Sequence, residues 1–312
     1  MKSRRLIQLS FMVIAFIGFS LTGCKKDNLN QGDTDNSTLL QLSTDEINVE
    51  NAMDDASKDA EAVMSYGGGQ GKSATGLPCN ATIDSTSVVN DSITLFITYD
   101  GLNCNGTRNR TGKIEIKKAV GTHWGQAGAA VIFKFVDFAV TRVATGKSLT
   151  FNGTKTFQNV SGGFIWQLGF GATSISHRTS GSMQTTFDNG TVRTWNVARQ
   201  LTYTGTPNQL LMTVDGFGTA GEYTNLVTWG TNRNDEAFYT QITQSVVHKE
   251  LCSWDPIAGI KIHQVPAKNK SVTITFGYND NNEPVTGDEC PTKYRADWQR
   301  NGNSGTVYVL LH

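Results

Sequence analysis

After Pro78, apolar and polar residues alternate along most of the chain with a period of two. The segments 92–99 and 113–117, for example, carry apolar residues at every second position. Because successive side chains of a strand point to opposite faces, this pattern is typical of strands with one dry face and one wet face. Turn dipeptides such as Asn105-Gly106 and Asn301-Gly302 separate many of the runs. The pattern predicts about 14 strands with antiparallel neighbours after residue 79.

A meander of this length that is dry on one side cannot stay flat. It must roll into a barrel-like sheet or fold over into a sandwich, and the sequence does not choose between these two. A lipid-spanning barrel would need apolar residues outside and polar residues inside. Paired cysteines and long threonine-rich faces argue against that third arrangement. The predicted fold class is therefore all-β, a large antiparallel meander with one short N-terminal helix.

The segment 129–143 departs from the alternating pattern. It is apolar at odd positions, such as Phe133 and Phe135, and also at even positions, such as Ile132 and Phe138. A strand that is apolar on both faces is usually covered on both faces. We therefore predict a central strand here, with the N-terminal helix as a candidate cover.

The helix is predicted from Ser43 onward. Ser43 or Thr44 can cap its first turn, and Glu46 stands three residues after Ser43. Apolar residues then recur at intervals of three or four, and the glycines at 67–69 end the pattern. The apolar stripe is thin and rich in alanine, so we expect the helix to pack on the β domain rather than stand alone.

The first 24 residues have the features of a lipoprotein signal peptide. Basic residues precede an apolar run from Phe11 to Leu21, which is too short to span a bilayer comfortably. The tetrapeptide Leu-Thr-Gly-Cys that ends at Cys24 resembles the bacterial lipobox, whose cysteine takes a diacylglycerol and becomes the first residue. We expect a lipidated Cys24, which would hold the rest of the chain at a membrane outside the cytoplasm.

Four segments are predicted: a signal peptide (1–23), a lipid-attached flexible tether (24–42), an amphipathic helix with a glycine-rich linker (43–78) and a single β domain (79–312). Lys plus Arg and Asp plus Glu number 27 each, so no single-sign field attracts nucleic acid. Membrane contact is expected through the lipid alone. Hydrophobic residues make up 38% of the chain, which favours a folded, turn-rich body over disorder.

Once Cys24 is assigned to lipid, four cysteines remain: Cys79, Cys104, Cys252 and Cys290. Four cysteines in an oxidising compartment allow three connectivities. The segment SITLFITYD at 92–100 aligns with SVTITFGYN at 271–279, and two cysteines bracket each copy. We therefore predict the disulfides Cys79–Cys104 and Cys252–Cys290, each worth about 3.5 to 4 kcal/mol on the chain-entropy estimate. Free buried thiols are the alternative.

No motif in the chain specifies a reaction. The segment GGGQGKS at 67–73 resembles a phosphate loop, but Tyr66 stands where that pattern requires its first glycine. The five histidines include no H-E-x-x-H and no pair at i, i+4, and no G-x-S-x-G is present. We therefore predict no catalytic residue, no metal and no cofactor. The oxygen-rich loop 279–289 lacks the spacing of a known calcium loop, so we interpret it as a solvated turn.

Two tryptophans and two arginines are candidate ligand-contacting residues. Trp124 and Trp254 have polar or turn-forming neighbours that leave them free to be exposed, and a flat aromatic ring suits a sugar. Arg108 and Arg110 complete the set, and the sequence does not place these four side chains inside or outside. In contrast, Trp195 shares its strand face with apolar residues and is assigned to the core.

Cys79, the strand that ends at Tyr99, the segment DGLNCNGTRNRTGKIEI at 100–116 and the closing cysteine unit resemble a group of lipoproteins from the Bacteroidota. In that group, a G-C-x-x-x-G-x-x-R-x-G-K-I segment and a later Cys-bracketed segment frame a β-rich body. The resemblance covers roughly residues 44–312. Asn103 replaces the glycine before the cysteine, and the segment at 279–289 widens the final loop. The resemblance implies a β-rich lipoprotein but carries no activity with it.

The sequence therefore favours a lipid-anchored cell-envelope protein that acts as a non-enzymatic binding or scaffold module. We expect an outer-membrane lipoprotein, facing the periplasm or displayed at the cell surface, with a glycan or another envelope protein as its partner. The alternative is an extracytoplasmic hydrolase or carbohydrate-active enzyme whose carboxylates meet between strands. This alternative predicts a concave pocket with two Asp or Glu side chains of perturbed pKa.

Overall fold

The computed structural model describes residues 31–65 and 77–311. The signal peptide, Cys24, the glycine-rich segment 67–73 and His312 lie outside the described residues. The described chain forms one helix, short 3-10 turns and a 15-stranded sheet. The elements are α1 (Gln31–Ser65), β1 (Ala81–Ser85), β2 (Ser92–Leu102), β3 (Arg108–Ala119), β4 (Ala129–Arg142), β5 (Ser148–Asn159), β6 (Ser174–Phe187), β7 (Val192–Thr204), β8 (Leu211–Gly216), β9 (Gly218–Ala220), β10 (Tyr223–Thr231), β11 (Ala237–Lys249), β12 (Asp255–Val265), β13 (Lys270–Tyr278), β14 (Lys293–Arg300) and β15 (Asn303–Leu310).

The sheet is an antiparallel meander in which most strands pair with the next strand along the chain. The shorter strands β8 and β10 share one position in the sheet, since each pairs with both β7 and β11. The first half of β7 pairs with β10 and its second half pairs with β8, while β9 pairs with β10. The structure therefore confirms the predicted all-β antiparallel meander.

The sheet curls around α1, which lies in the interior of the protein. Strands β2, β7, β10 and β12 all form side-chain hydrogen bonds or ion pairs with the helix. Within residues 41–64, only Gln41 and Thr44 are exposed. Among the described strands, β1 and β15 do not pair with each other, so the curl stays open at its edges. Of the two predicted arrangements, the meander adopts the rolled one.

The helix begins at Gln31 rather than near Ser43, so it includes residues 31–42, which were assigned to the tether. Leu42 is buried, and Leu40 packs against the hydrophobic core. The helix therefore contacts the core before Ser43. These contacts stabilise helical structure in a segment whose sequence is mostly polar. In addition, α1 buries more than the predicted apolar stripe, because charged as well as apolar side chains on it are buried.

The prediction that 129–143 forms a strand covered on both faces is wrong. The register of β4 with β5 shifts between Phe135 and Phe138, and Asp137 has a φ of 47°. Asn152 holds this bulge, since its side chain accepts from the Asp137 amide and donates to the Asp137 carboxylate. The bulge places Phe135 and Phe138 in the same core, while Ile132 is 45% exposed. The strand is therefore dry on one face only.

Both predicted disulfides are present. Cys79–Cys104 ties the segment before β1 to the loop between β2 and β3. Cys252–Cys290 ties the turn after β11 to the loop before β14. Each bond closes a segment around neighbouring strands, as the internal similarity of the sequence indicates.

Candidate functional site

The interior of the protein is ionic as well as apolar. Carboxylates along α1 meet arginine and lysine side chains that project from the inner face of the sheet and from one of its turns. The pairs are Asp45–Arg233, Glu46–Arg193, Glu50–Lys261, Asp54–Arg199, Asp55–Arg108 and Asp59–Arg110. Buried charges persist in proteins when they are paired and hydrogen-bonded. These pairs therefore fix the rotation and the axial position of the helix within the sheet.

The geometry of regular structure explains how neighbouring pairs form. Arg108 and Arg110 are two residues apart on β3, which separates them by about 6.6 Å on one face. Asp55 and Asp59 are four residues apart on α1, which separates them by about 6 Å on one side of the helix. The two spacings match, so the two arginines of β3 each pair with an aspartate on successive turns of the helix.

The electrostatics keep two of these carboxylates, Glu50 and Asp54, ionised despite their burial. Burial alone would raise the pKa of Glu50, but Lys261 and Arg199 outweigh it, and the pKa is lowered. Burial alone would also raise the pKa of Asp54, but Arg199 outweighs it, and the pKa is lowered. Arg199 binds Asp54 through two hydrogen bonds of 2.9 and 3.0 Å, the bidentate geometry that strengthens such pairs.

Three further titratable groups are buried in the interior without a directly bonded partner of opposite charge among the described residues. The Lys155 ammonium donates to Ser57 Oγ at 2.9 Å and to the Met53 carbonyl oxygen at 3.4 Å, and burial lowers its pKa to about 7. About one helical turn further along α1, His177 Nδ1 lies 3.6 Å from Glu61 Oε2. Burial raises the pKa of Glu61 to about 7 and lowers that of His177 to about 4. The imidazole is therefore neutral at pH 7.

Trp124, a candidate ligand-contacting residue that the sequence left free to be exposed, lies beside this histidine in the interior. Its side chain is 4% exposed and stacks on Phe157 with 4.8 Å between ring centroids. The Trp124 carbonyl oxygen accepts a hydrogen bond from Asn159, which fixes the loop that carries it. Burial of the large apolar ring outweighs the polar character of the neighbouring residues.

One side of α1 stays accessible through the open curl of the sheet, and we call this side, with the sheet residues that flank it, the helix slot. The helix positions that face it recur every three or four residues, which is one face of a helix. They are Gln41, Thr44, Asn48, Asn51, Asp55 and Lys58. Two cavities of about 50 and about 150 Å³ lie along the slot, and Arg108 lines both.

The larger cavity has an aromatic wall with a cation against it. The Lys58 ammonium lies 4.4 Å from the centroid of the Trp254 ring, within the range of a cation–π contact. Lys58 forms no direct ion pair with a residue in 31–65 or 77–311, although Asp54 and Asp55 attract it. Burial nevertheless lowers the pKa of Lys58. The slot thus presents a partly buried cation that is not neutralised by direct contact.

The Trp254 backbone is held in an unusual conformation. Its φ is 66°, a left-handed value that is rare for a bulky residue. His248 Nδ1 donates to the Trp254 carbonyl oxygen at 2.9 Å, and the Trp254 amide donates to the Lys249 carbonyl oxygen at 3.0 Å. The disulfide at Cys252 constrains the same turn. Strain that the surroundings maintain in this way is found at ligand-binding positions.

The structure brings together two of the four predicted ligand-contacting residues. Arg108 and Trp254 both line the larger cavity of the slot. Arg110 is 4% exposed, bonds Asp59 and the Cys79 carbonyl oxygen, and lies in the interior. Trp124 and Arg110 therefore face the core, whereas Arg108 and Trp254 face the slot.

Sequence reasoning missed Asp54, Lys58 and His248, which also line the slot. The sequence does contain a sign that charged residues are buried. The predicted helix carries acidic residues on every side, so they cannot all lie on one solvent-exposed face. A second signal lies in β7, where Arg193 and Arg199 occupy positions in register with core residues. Charges in a dry register indicate buried partners of opposite sign.

Several classes of site find no support in residues 31–65 and 77–311. No group of three or more His, Cys, Asp or Glu side chains there is placed to hold a metal ion. No helix in these ranges has an apolar stretch of the length that a bilayer crossing requires.

Comparisons with known proteins add nothing to the site: no family model, no curated protein and no solved structure matches the chain.

Proposed function

We propose that the protein is a lipid-anchored component of the cell envelope that acts as a non-enzymatic binding module. Lipid on Cys24 would hold the chain at the outer membrane, with its β body in the periplasm or at the cell surface. The two disulfides support an oxidising compartment and use four of the five cysteines, which leaves Cys24 for the lipid. The helix slot is the proposed binding site.

The state of the slot carboxylates favours binding over hydrolysis. A glycosidase needs one carboxylic acid that stays protonated near its working pH. In the slot, Asp54 is bound to Arg199 with a lowered pKa, and Asp55 is bound to Arg108. Among the described carboxyl groups, those with a raised pKa are Asp59 and Glu61, and neither lines the slot. This separation is the observation on which the proposal depends.

The size and chemistry of the slot suggest what it binds. A volume of about 150 Å³ is below the range of about 300 to 1,000 Å³ that holds most small-molecule ligands. The slot therefore suits a polar side chain of an envelope protein or one unit of a glycan. Trp254 offers a flat apolar surface, while Lys58 and Asn51 offer hydrogen-bond donors.

Purification from native envelopes tests this function. Full-length tagged protein is isolated from detergent-solubilised membranes, and the proteins and glycans that accompany it are identified by mass spectrometry. At least one component should accompany the wild type and be lost with Trp254→Ala and with Lys58→Met, because both changes remove slot contacts.

Trp166→Ala is the matched control, since Trp166 is 63% exposed and lies outside the slot. It should retain the component. If no accompanying molecule depends on Trp254 or Lys58, the slot is not a binding site and the proposal is wrong.

A further inference from the structure

A second concave surface lies on the outer face of the sheet, on the side away from α1. We call it the outer groove; it crosses β12 to β15 and has a volume of about 800 Å³. That volume is in the range of about 300 to 1,000 Å³ typical of ligand sites. Two hairpin turns bound one side of it, where the Asn301 amide lies 3.4 Å from the Asn269 carbonyl oxygen. Amide and hydroxyl side chains predominate in its lining, among them Gln264, Ser271, Thr273, Gln299, Asn303 and Ser304.

The strand register arranges part of this lining in a row. Residues that pair directly across neighbouring strands project from the same face, and neighbouring strands lie about 4.8 Å apart. One continuous set of such pairs crosses β12, β13, β14 and β15: Gln264, Ser271, Gln299 and Ser304. The row therefore offers one polar group per strand, at steps comparable with the width of a sugar ring.

An aromatic pair stands at the end of the row next to β11. Tyr239 on β11 pairs with Gln264, and Tyr223 stacks on Tyr239 with 4.1 Å between ring centroids. Gln241 supports this arrangement, because its amide donates to the Thr224 carbonyl oxygen at 2.7 Å. Tyr223 also lines the groove. A flat aromatic surface next to amide groups suits a sugar, which has an apolar ring face and polar edges.

Most of the lining is uncharged, and several of its polar side chains are available to a ligand. The side chains of Ser271, Thr273 and Gln299 form no hydrogen bond with another residue of the described chain, so they can serve a ligand. No carboxylate is found among the described lining residues. Lys270 and Arg300, the cations in the lining, are engaged with other residues of the protein. A groove of this kind complements a neutral ligand and lacks the carboxylate pair that would cleave it.

We infer that the outer groove binds a neutral glycan chain, which lies across the strands with one end against Tyr223. The volume accommodates several sugar units, and the row supplies a hydrogen-bonding group for successive units. This inference goes beyond the proposed function, because it involves neither the helix slot nor the lipid on Cys24.

Affinity electrophoresis tests the inference. Full-length protein in mild detergent is run through native gels that contain dextran, laminarin, mannan or arabinoxylan as neutral polysaccharides, or alginate as an acidic one. At least one neutral polymer should retard the wild type. Gln264→Ala and Gln299→Ala should each weaken binding to that polymer by about three- to tenfold, since each removes hydrogen bonds to the ligand. Tyr223→Ala should weaken it by about tenfold or more.

Gln184→Ala is the matched control, because Gln184 is an exposed glutamine on β6 outside the groove. It should bind as the wild type does, and so should the slot variant Trp254→Ala. Gln299 is exposed, so its replacement does not threaten folding. The inference is overturned if no neutral polymer retards the protein, if alginate alone does, or if the groove variants bind normally. If Trp254→Ala alone abolishes binding, the glycan binds in the helix slot. That result would overturn the inference about the outer groove and leave the proposed function intact.

Discussion

At the scale of single residues, the interior depends on charges that neutralise each other. Arg193 and Glu46 are fully buried, and Glu46 also accepts hydrogen bonds from Thr228 and Trp195. Such a pair is costly to break, because the remaining charge stays buried without a partner. Replacement of both members by apolar residues of similar size is much less costly.

This difference predicts the outcome of a mutant set at Glu46. Glu46→Gln should lower the free energy of unfolding by about 3 to 5 kcal/mol, measured by urea denaturation, because Arg193 loses its counter-charge. The double replacement Glu46→Leu with Arg193→Met should recover most of that loss. Asp288→Asn, at the exposed pair with Lys249, should leave stability almost unchanged. Equal effects at the buried and exposed pairs would contradict the ionic interior.

Buried histidines predict sensitivity to acid. Burial lowers the pKa of His177, His248 and His263 to about 4 each, whereas an unfolded chain titrates near about 6.5. Between these values the unfolded state binds more protons, so the free energy of unfolding falls as the pH falls from about 6.5 to about 4. Burial raises the native pKa of Asp59 and that of Glu61, the latter to about 7, so these two carboxyls act in the opposite direction. The three histidines outweigh the two carboxyls.

Urea denaturation at several pH values between about 4.5 and 7 measures this dependence. Each histidine contributes up to about 1.4 kcal/mol per pH unit, so His263→Gln should reduce the slope by about that amount. His123→Gln is the control, because His123 is exposed. A stability that is flat or rises on acidification would show that these histidines are not held neutral in the interior.

At the scale of elements, periodicity predicted the strands and failed where the backbone departs from it. The alternation in β2 and β3 was visible because each residue there keeps its face along the strand. In β4 the bulge at Asp137 moves later residues to the other register, which no count of alternate positions reveals. The extension of α1 before Ser43 was missed for a related reason, since the sequence there is polar and the core contacts that its structure shows, at Leu40 and Leu42, depend on the fold.

The bulge also makes a prediction about the neighbouring strand. Gly112 on β3 has a φ of 87°, and a Cβ there would lie 2.0 Å from the Asp137 carbonyl oxygen. Gly112→Ala should therefore lower the free energy of unfolding by about 3 kcal/mol or more, because backbone atoms must shift. Gly146→Ala is a matched control with a φ of 66° and nothing within 4 Å, and should cost about 1 to 2 kcal/mol. A Gly112→Ala variant no less stable than Gly146→Ala would contradict the close approach of β3 to the bulge.

At the scale of the whole molecule, the sequence specifies the class of fold and the covalent framework but not the relation between helix and sheet. The alternation and the bracketed repeats predict the meander and both disulfides. The position of α1 inside the curl depends on pairs such as Asp54 with Arg199, which are 145 residues apart. One sequence does not say which distant charges will meet. The helix slot, which those pairs shape, was for that reason predicted only through Arg108 and Trp254.

The intact mass of the mature protein, purified from its native envelope, tests the account most directly. We predict a chain that begins at Cys24, lacks residues 1–23 and carries the added mass of acyl chains on that cysteine, with Cys79, Cys104, Cys252 and Cys290 oxidised. A mature chain that begins at Met1, or a Cys24 without lipid, would contradict the proposed place of the protein in the cell envelope.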